Sequence, residues 1–215
     1  NLGYILNLKL EYTTYKHSLD SILKYVGMVD SYVAIVNLIT MRGYTLPTYD
    51  FNKNKPYIHV KNVWNPLLPF DQVLNDFTFD SKLMIITGAN TSGKSTYMRS
   101  VMLAVYLSQT LGISCCSSIT FTPFNVLFTY INIPDVVGRE SLFEAEMNRC
   151  MQFINLVKGL KNDQYAFTII DELFTGTNPK EGIAGSFAIS EYMLSYPNSL
   201  CIVSTHFHDI TKLSD

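Results

Sequence analysis

An α/β fold with a mostly parallel sheet flanked by helices is predicted by three features of the sequence. First, "KLMIITG" (Lys82–Gly88), "YAFTIIDE" (Tyr165–Glu172) and "SLCIVSTH" (Ser199–His206) carry apolar runs. The last two are near-continuous and end in polar residues, the pattern of central strands buried on both faces. Second, stretches with helical spacing, about 95–110, 141–158 and 183–194, lie between the runs. Third, a glycine-rich turn joins the first run to the first of those helices. Strands alternating with helices build an open, largely parallel sheet and leave functional groups at the strand ends.

In chain order, residues from Leu6 to about Thr40 are read as helical. Leu19, Ile22, Leu23, Val26, Val29, Val33, Val36 and Leu38 recur there at three- and four-residue steps. This divides the chain into a helical segment, 1–45, and an α/β domain, 46–215. "RGYTLPTYDFNKNKPY" (Arg42–Tyr57) is punctuated by Gly, Pro and Asn and reads as a connector. "YIHV" (Tyr57–Val60) is a short β-prone piece. The helix after the glycine-rich turn should run from about Ser95 to Thr110, with Gly112 as its stop. "SITF" (Ser118–Phe121) and "NVLFTYI" (Asn125–Ile131) are β-like. A further helix should begin near Ser141 and reach about Lys158, with Ser141 and Glu144 placed as a capping box.

The 215 residues suffice for one large α/β domain or a domain with a helical extension. At 47% hydrophobic and 16% charged residues, the chain can bury enough surface to offset its conformational entropy, which excludes general disorder. A formal charge of −2 supplies no overall attraction to nucleic acid, so phosphate contacts to DNA are expected from other segments. Cys115, Cys116, Cys150 and Cys201 form no CxxC pair and read as buried thiols of a reducing compartment. No signal peptide opens the chain, and "YVAIVNLI" (Tyr32–Ile39) by itself is too short to span a bilayer. The segment is therefore expected to be soluble and intracellular, without membrane contact, in cytoplasm or nucleus alike. It opens without Met and ends soon after a strand, as a piece of a longer protein would.

The chemistry is concentrated in three places. Gly88–Ser95 fits G-x-x-x-x-G-K-[ST], preceded by an apolar run and followed by a helical one. In that pattern Gly88 and Gly93 let backbone N–H groups converge on phosphates, Lys94 reaches the β and γ oxygens, and the Ser95 hydroxyl ligates Mg²⁺. Thr96 belongs to the same cradle, and the helix N-terminus adds a dipole that favours an anion. Asp171 closes an apolar strand, where it can hold Mg²⁺ through water, and Glu172 can polarise an attacking water. His206 ends the last apolar run and can contact a γ-phosphate. The lesser reading of the acid pair is a strand-end cap, whereas a lone strand-end His is more often structural. The guanine-reading NKxD of small GTPases is absent from the sequence.

Read together and in this order, the motifs resemble those of the ATPase domain of the MutS family of DNA mismatch-repair proteins, a branch of the ABC-type ATPases. "ITGANTSGKSTYMR" is similar to the family's TGPN-x-x-GKST loop, with Asn90 on its Asn and Ala89 in place of its Pro. "DELFTGTNPKEG" (Asp171–Gly182) resembles DE-x-x-x-GT-S-x-x-DG, with Glu181 where Asp is usual. "STHFHDITKL" (Ser204–Leu213) resembles TH-[YF]-x-x-L-x-x-L and marks His206 as a phosphate sensor. "WNPLLPFDQVLND" (Trp64–Asp76) looks like the RHP…PND lead-in, with Trp64–Asn65 in place of Arg–His, but Gln72, Val73 and Leu74 stand just before Asn75, where the family has an aromatic that stacks on the base. "TYINIPDVVGRESLFEAEM" (Thr129–Met147) resembles T-R-I-G-x-x-D…S-T-F-x-x-E-M. Its matches are Thr129, Ile131, Asp135, Ser141, Phe143, Glu146 and Met147, while Tyr130 and Asn132 depart from the pattern.

The resemblance implies ATP and Mg²⁺ as ligands, with Glu172, His206 and Lys94 as the catalytic set. It implies a dimer with a like subunit, in which Ser141 serves the partner's nucleotide. It also implies a lever in the Val26–Leu38 helix that couples hydrolysis to mismatched DNA and downstream repair factors through domains outside this segment. Two other readings stay open: a divergent MutS-like or other ABC-type ATPase of recombination or chromosome maintenance, and a regulatory module that holds ATP without turnover. A transporter motor would carry an LSGGQ-type signature, which "RESLFEAEM" does not supply.

Overall fold

A computed structural model describes residues 2–52, 54–69, 71–89, 91–131, 142–174, 177–207, 210–211 and 213, the side chain of Leu142 excepted. The chain forms two compact units, Asn1–Tyr44 and Thr45–Asp215.

The first unit is one helix, α1 (Leu2–Arg42), of 41 residues. Its polar side chains turn inward on the backbone: Ser21, Ser31 and Thr40 each donate to a carbonyl four residues earlier. No residue of α1 is buried, and Leu10, Ile22, Leu23 and Val36 are among its exposed apolar side chains. From Tyr25 to Met41 the only charged residue is Asp30. The run Tyr32–Ile39 therefore sits within a much longer apolar helix, whose best 18-residue stretch has a mean hydropathy of 1.5. By length and composition alone α1 meets the condition for crossing a membrane. Buried helices of soluble proteins meet the same condition.

The second unit contains eight strands and three helices among its described residues. Strands β1 (Thr48–Tyr49), β2 (Ile58–Val63), β3 (Asn75–Phe79) and β5 (Ser118–Phe121) form one sheet in the order β1-β5-β2-β3. There β2 runs antiparallel to β3 and β5, and β1 parallel to β5. Strands β4 (Leu83–Thr87), β6 (Val126–Tyr130), β7 (Ala166–Asp171) and β8 (Ser199–Thr205) form an all-parallel sheet in the order β4-β8-β7-β6. The helices are α2 (Lys94–Leu111), α3 (Leu142–Lys158) and α4 (Pro179–Leu194). The α/β fold with its parallel sheet is thus the one expected.

Every residue of β8 is buried, and all of β7 except Asp171, as continuous apolar runs require. Helix α2 buries Met98, Val101, Met102 and Val105, one stripe at three- and four-residue spacing, and stops at Gly112 in the left-handed conformation. Cys150, Phe153, Ile154 and Val157 of α3 join Phe128 and Tyr130 of β6 in a core cluster with Ile170 and Val203. All four cysteines are free, buried thiols, and burial pushes Cys115 and Cys150 up to about 12.

Candidate active site

Strand order builds the site. Because β8 lies between β4 and β7, the C-terminal ends of the three strands are level: Thr87 pairs with Thr205, and Asp171 with Ser204. The turn after β4, the acid at the end of β7 and the residue following β8 therefore meet at one edge of the parallel sheet, where open α/β sheets bind ligands.

In the turn, Gly93 takes φ 91°, a left-handed conformation that side chains resist, and starts α2 with no side-chain cap. The first-turn N–H groups of α2 are consequently not claimed by a capping side chain, which suits an anion at this end. Lys94 is only 8% exposed. Its Nζ donates to the carbonyls of Gly88 at 2.8 Å and Ala89 at 3.1 Å, and lies 4.0 Å from Glu172 Oε1. The Lys94 side chain is thus fixed inside the turn by two backbone carbonyls and the nearby carboxylate.

Asp171 is bound by two hydroxyls. Ser95 Oγ donates to its Oδ1 at 3.0 Å, and Ser204 Oγ donates to the same oxygen at 2.7 Å. Glu172 follows in a left-handed conformation, φ 57°. Its N–H donates to both Ser204 Oγ and Ser204 O, at 3.2 and 3.3 Å. Its carboxylate lies 2.5 Å from His206 Nε2, and both side chains are about one-third exposed. The structure therefore brings Gly88, Gly93, Lys94, Ser95, Asp171, Glu172 and His206 together. Asn90 and Ser141 lie outside the described residues, as do Asp135 and Asn132.

A cavity of about 570 Å³ opens beside this cluster, within the roughly 300–1,000 Å³ range of small-ligand sites. Ser92, Lys94 and Thr96 line it together with Leu68, Gln72 and Val73. Gln72 is held in place by the Asn65 backbone, accepting from its N–H at 2.7 Å and donating to its carbonyl at 2.9 Å. Tyr97 also lines the cavity, its hydroxyl donating to the Asp76 carbonyl at 2.9 Å. Another cavity, of about 600 Å³, includes Asn125 and Tyr165 next to the N-terminal ends of β6 and β7, and contains none of the charged cluster.

Sequence reasoning missed Ser204 as a site residue, since only strand register places it on Asp171. It also missed Leu68 and Val73, which reach the cavity from the loop before β3, and Tyr97, which follows the turn directly on α2.

Fold and motifs together are those of the P-loop nucleoside-triphosphatase class, with the glycine-rich turn after β4, an acid pair at the end of β7 and, between these strands, β8 followed by His206. The chain belongs to the MutS family: residues 84–215 match MutS domain V, the family's ATPase domain. It is 30% identical to the DNA mismatch repair protein MutS of Staphylococcus epidermidis across 99% of its length. The corresponding protein of Acholeplasma laidlawii is 27% identical over 94% of the chain, and that of Pelotomaculum thermopropionicum 33% over 73%. The chain spans about a quarter of the length of the Staphylococcus and Acholeplasma proteins, and 18% of the Pelotomaculum protein.

Proposed function

We propose that this chain binds ATP with Mg²⁺ and hydrolyses it, as the motor of a MutS-like protein of DNA mismatch repair. The observation that carries this reading is the convergence of Lys94, Glu172 and His206 beside the Ser95–Asp171–Ser204 hydroxyl–carboxylate cluster. Lys94 and the α2 N-terminus meet the β and γ phosphates, and the base and ribose enter the cavity towards Leu68 and Val73. Two hard oxygen donors, Ser95 Oγ and Asp171 Oδ1, already within hydrogen-bond distance of each other, fit a magnesium ion that takes its other ligands from phosphate and water. When bound, the ion offsets charge on the phosphates. Glu172 orients and deprotonates the attacking water, and His206, now on Glu172, moves to the γ-phosphate.

The same reading makes the active form a dimer. The N-terminal end of α3, with Ser141 before it, completes the nucleotide site of the partner. Hydrolysis then alters the interface and, through the helix of 1–45, the DNA-binding parts of the longer protein. Magnesium-dependent release of phosphate from ATP by the purified protein, lost in Glu172→Gln with ATP binding retained, is the expected result. Tight ATP binding with no turnover in the wild-type protein would instead favour a regulatory module.

A further inference from the structure

The segment after β7 carries a feature that its motif does not account for. Glu172 and Phe174 both adopt left-handed backbone conformations, φ 57° and 56°, which non-glycine residues rarely accept. Phe174 is nevertheless among the most buried side chains of the protein, at 1% exposure. Its ring lies in a slot on α4 left by the missing side chain of Gly185, and its carbonyl sits against Gly182. A Cβ on Gly185 would come within 2.9 Å of two ring carbons, and a Cβ on Gly182 within 2.7 Å of the Phe174 carbonyl oxygen. From α4, Ser186 Oγ donates to the Leu173 carbonyl at 3.2 Å, fixing the residue between the two strained ones. On another side, Phe143 in the first turns of α3 packs on the Phe174 ring, with centroids 5.3 Å apart.

We infer that Phe174 is a positioning residue for Glu172, and that its ring links the seating of α3 to the readiness of the carboxylate. Two left-handed residues two apart are held in place only if surrounding structure over-determines them. The α4 slot does so from below, and Phe143 closes it from the α3 side. With the ring seated, Glu172 keeps its N–H on Ser204 and its carboxylate between Lys94 and His206. If α3 moves, Phe143 moves with it, the ring loses one wall, and the segment relaxes towards ordinary backbone angles. The inference rests on the ATPase reading for its kinetic consequence, though its structural part stands independently.

The test compares Phe174→Ala, Phe174→Met and Gly185→Ala with the wild type in the full protein. Three readouts are used: ATP turnover, equilibrium ATP binding, and amide hydrogen exchange of the segment 170–174. Phe174→Ala should lower kcat by about tenfold or more, within the range of a misplaced general base, and leave the Kd for ATP within about twofold. The Glu172 amide should lose protection. Phe174→Met, which refills most of the slot, should recover both properties. Gly185→Ala should impair the Phe174 protein yet add nothing to Phe174→Ala, because the methyl then enters vacated space. Unchanged protection in a folded Phe174→Ala, or a parallel loss of binding and turnover, would overturn the inference. Should Phe174→Ala fail to fold, the Met variant and Gly185→Ala decide by the same readouts. A wild type without turnover whose protection still depends on Phe174 would count against the ATPase reading and in favour of the positioning role.

Discussion

Among individual residues, the charged cluster separates binding from chemistry. Lys94 donates to the carbonyls of Gly88 and Ala89, which holds its Nζ inside the turn. Lys94→Ala should weaken ATP binding by about 10- to 100-fold, the loss expected for one buried charge-assisted contact; isothermal titration measures it. Glu172→Gln removes the base and keeps the side-chain shape. Its kcat should fall by about 10²–10⁴ with ATP affinity retained, and phosphate-release kinetics at saturating ATP would report it. The cysteines make a third case. Burial raises the Cys115 and Cys150 thiols to about 12, and Cys201 is wholly buried. Thiolate is the reactive form, so at pH 8 the native protein should resist alkylation that proceeds readily in denaturant. Rapid labelling of native Cys150, read by mass spectrometry, would contradict the packing of α3 on β6. Much of this cluster was legible in the sequence because each motif is local: Gly88–Ser95 and Asp171–Glu172 carry their spacing within a few residues. Ser204 and Phe174 were not. Their roles depend on strand register and on Gly182 and Gly185 in α4, which no local pattern encodes.

For the secondary-structure elements, legibility followed burial. Strands β7 and β8 have apolar residues on both faces, and their runs were unmistakable. Strand β3 buries only Phe77 and Phe79, starts with Asn75–Asp76, and resembles a turn in sequence; it holds its place through pairing with β2. Strand β1 has two residues, and pairing with β5 alone defines it. Helix α4 starts earlier than its apolar pattern suggests. Asn178 accepts from the Lys180 N–H at 3.1 Å, and Pro179 occupies the first helical turn, where its missing N–H is harmless. Glu181, in place of the usual Asp of the motif, accepts from Thr177 Oγ1 at 3.2 Å and so keeps an acid at the helix's positive end. Asn178→Ala should therefore destabilise the domain by about 1 kcal/mol, measurable by urea unfolding. Since α4 also carries the Gly182–Gly185 slot, fraying of its first turn should reduce turnover before it reduces global stability.

For the molecule as a whole, the decisive question is whether one chain completes a site. Lys94, Ser95, Asp171, Glu172 and His206 all come from one copy, whereas the proposed reading assigns Ser141 to the nucleotide of a second copy. That division has a consequence that no single-chain arrangement shares. In a two-fold dimer each site would combine the turn and acids of one copy with the α3 end of the other. A Ser141→Ala chain and a Glu172→Gln chain would each be inactive alone. When the two are mixed and exchanged, a mixed dimer contains one site with intact Glu172 facing an intact Ser141, and one site with both defects. Random pairing would thus restore about a quarter of the wild-type sites, and the recovered rate should vanish on dilution as dimers separate. If Ser141 acted within its own chain, every site in the mixture would retain one defect and no activity would return. Recovery therefore discriminates sharing across the dimer from a local helix cap, for which Ser141→Ala would lower stability and leave mixing without effect. The same measurement bears on the long helix α1 (Leu2–Arg42), whose apolar side chains are exposed. If recovery requires the longer protein and fails with residues 45–215 alone, segments outside the ATPase unit hold the two copies together, and hydrolysis can then be transmitted to them.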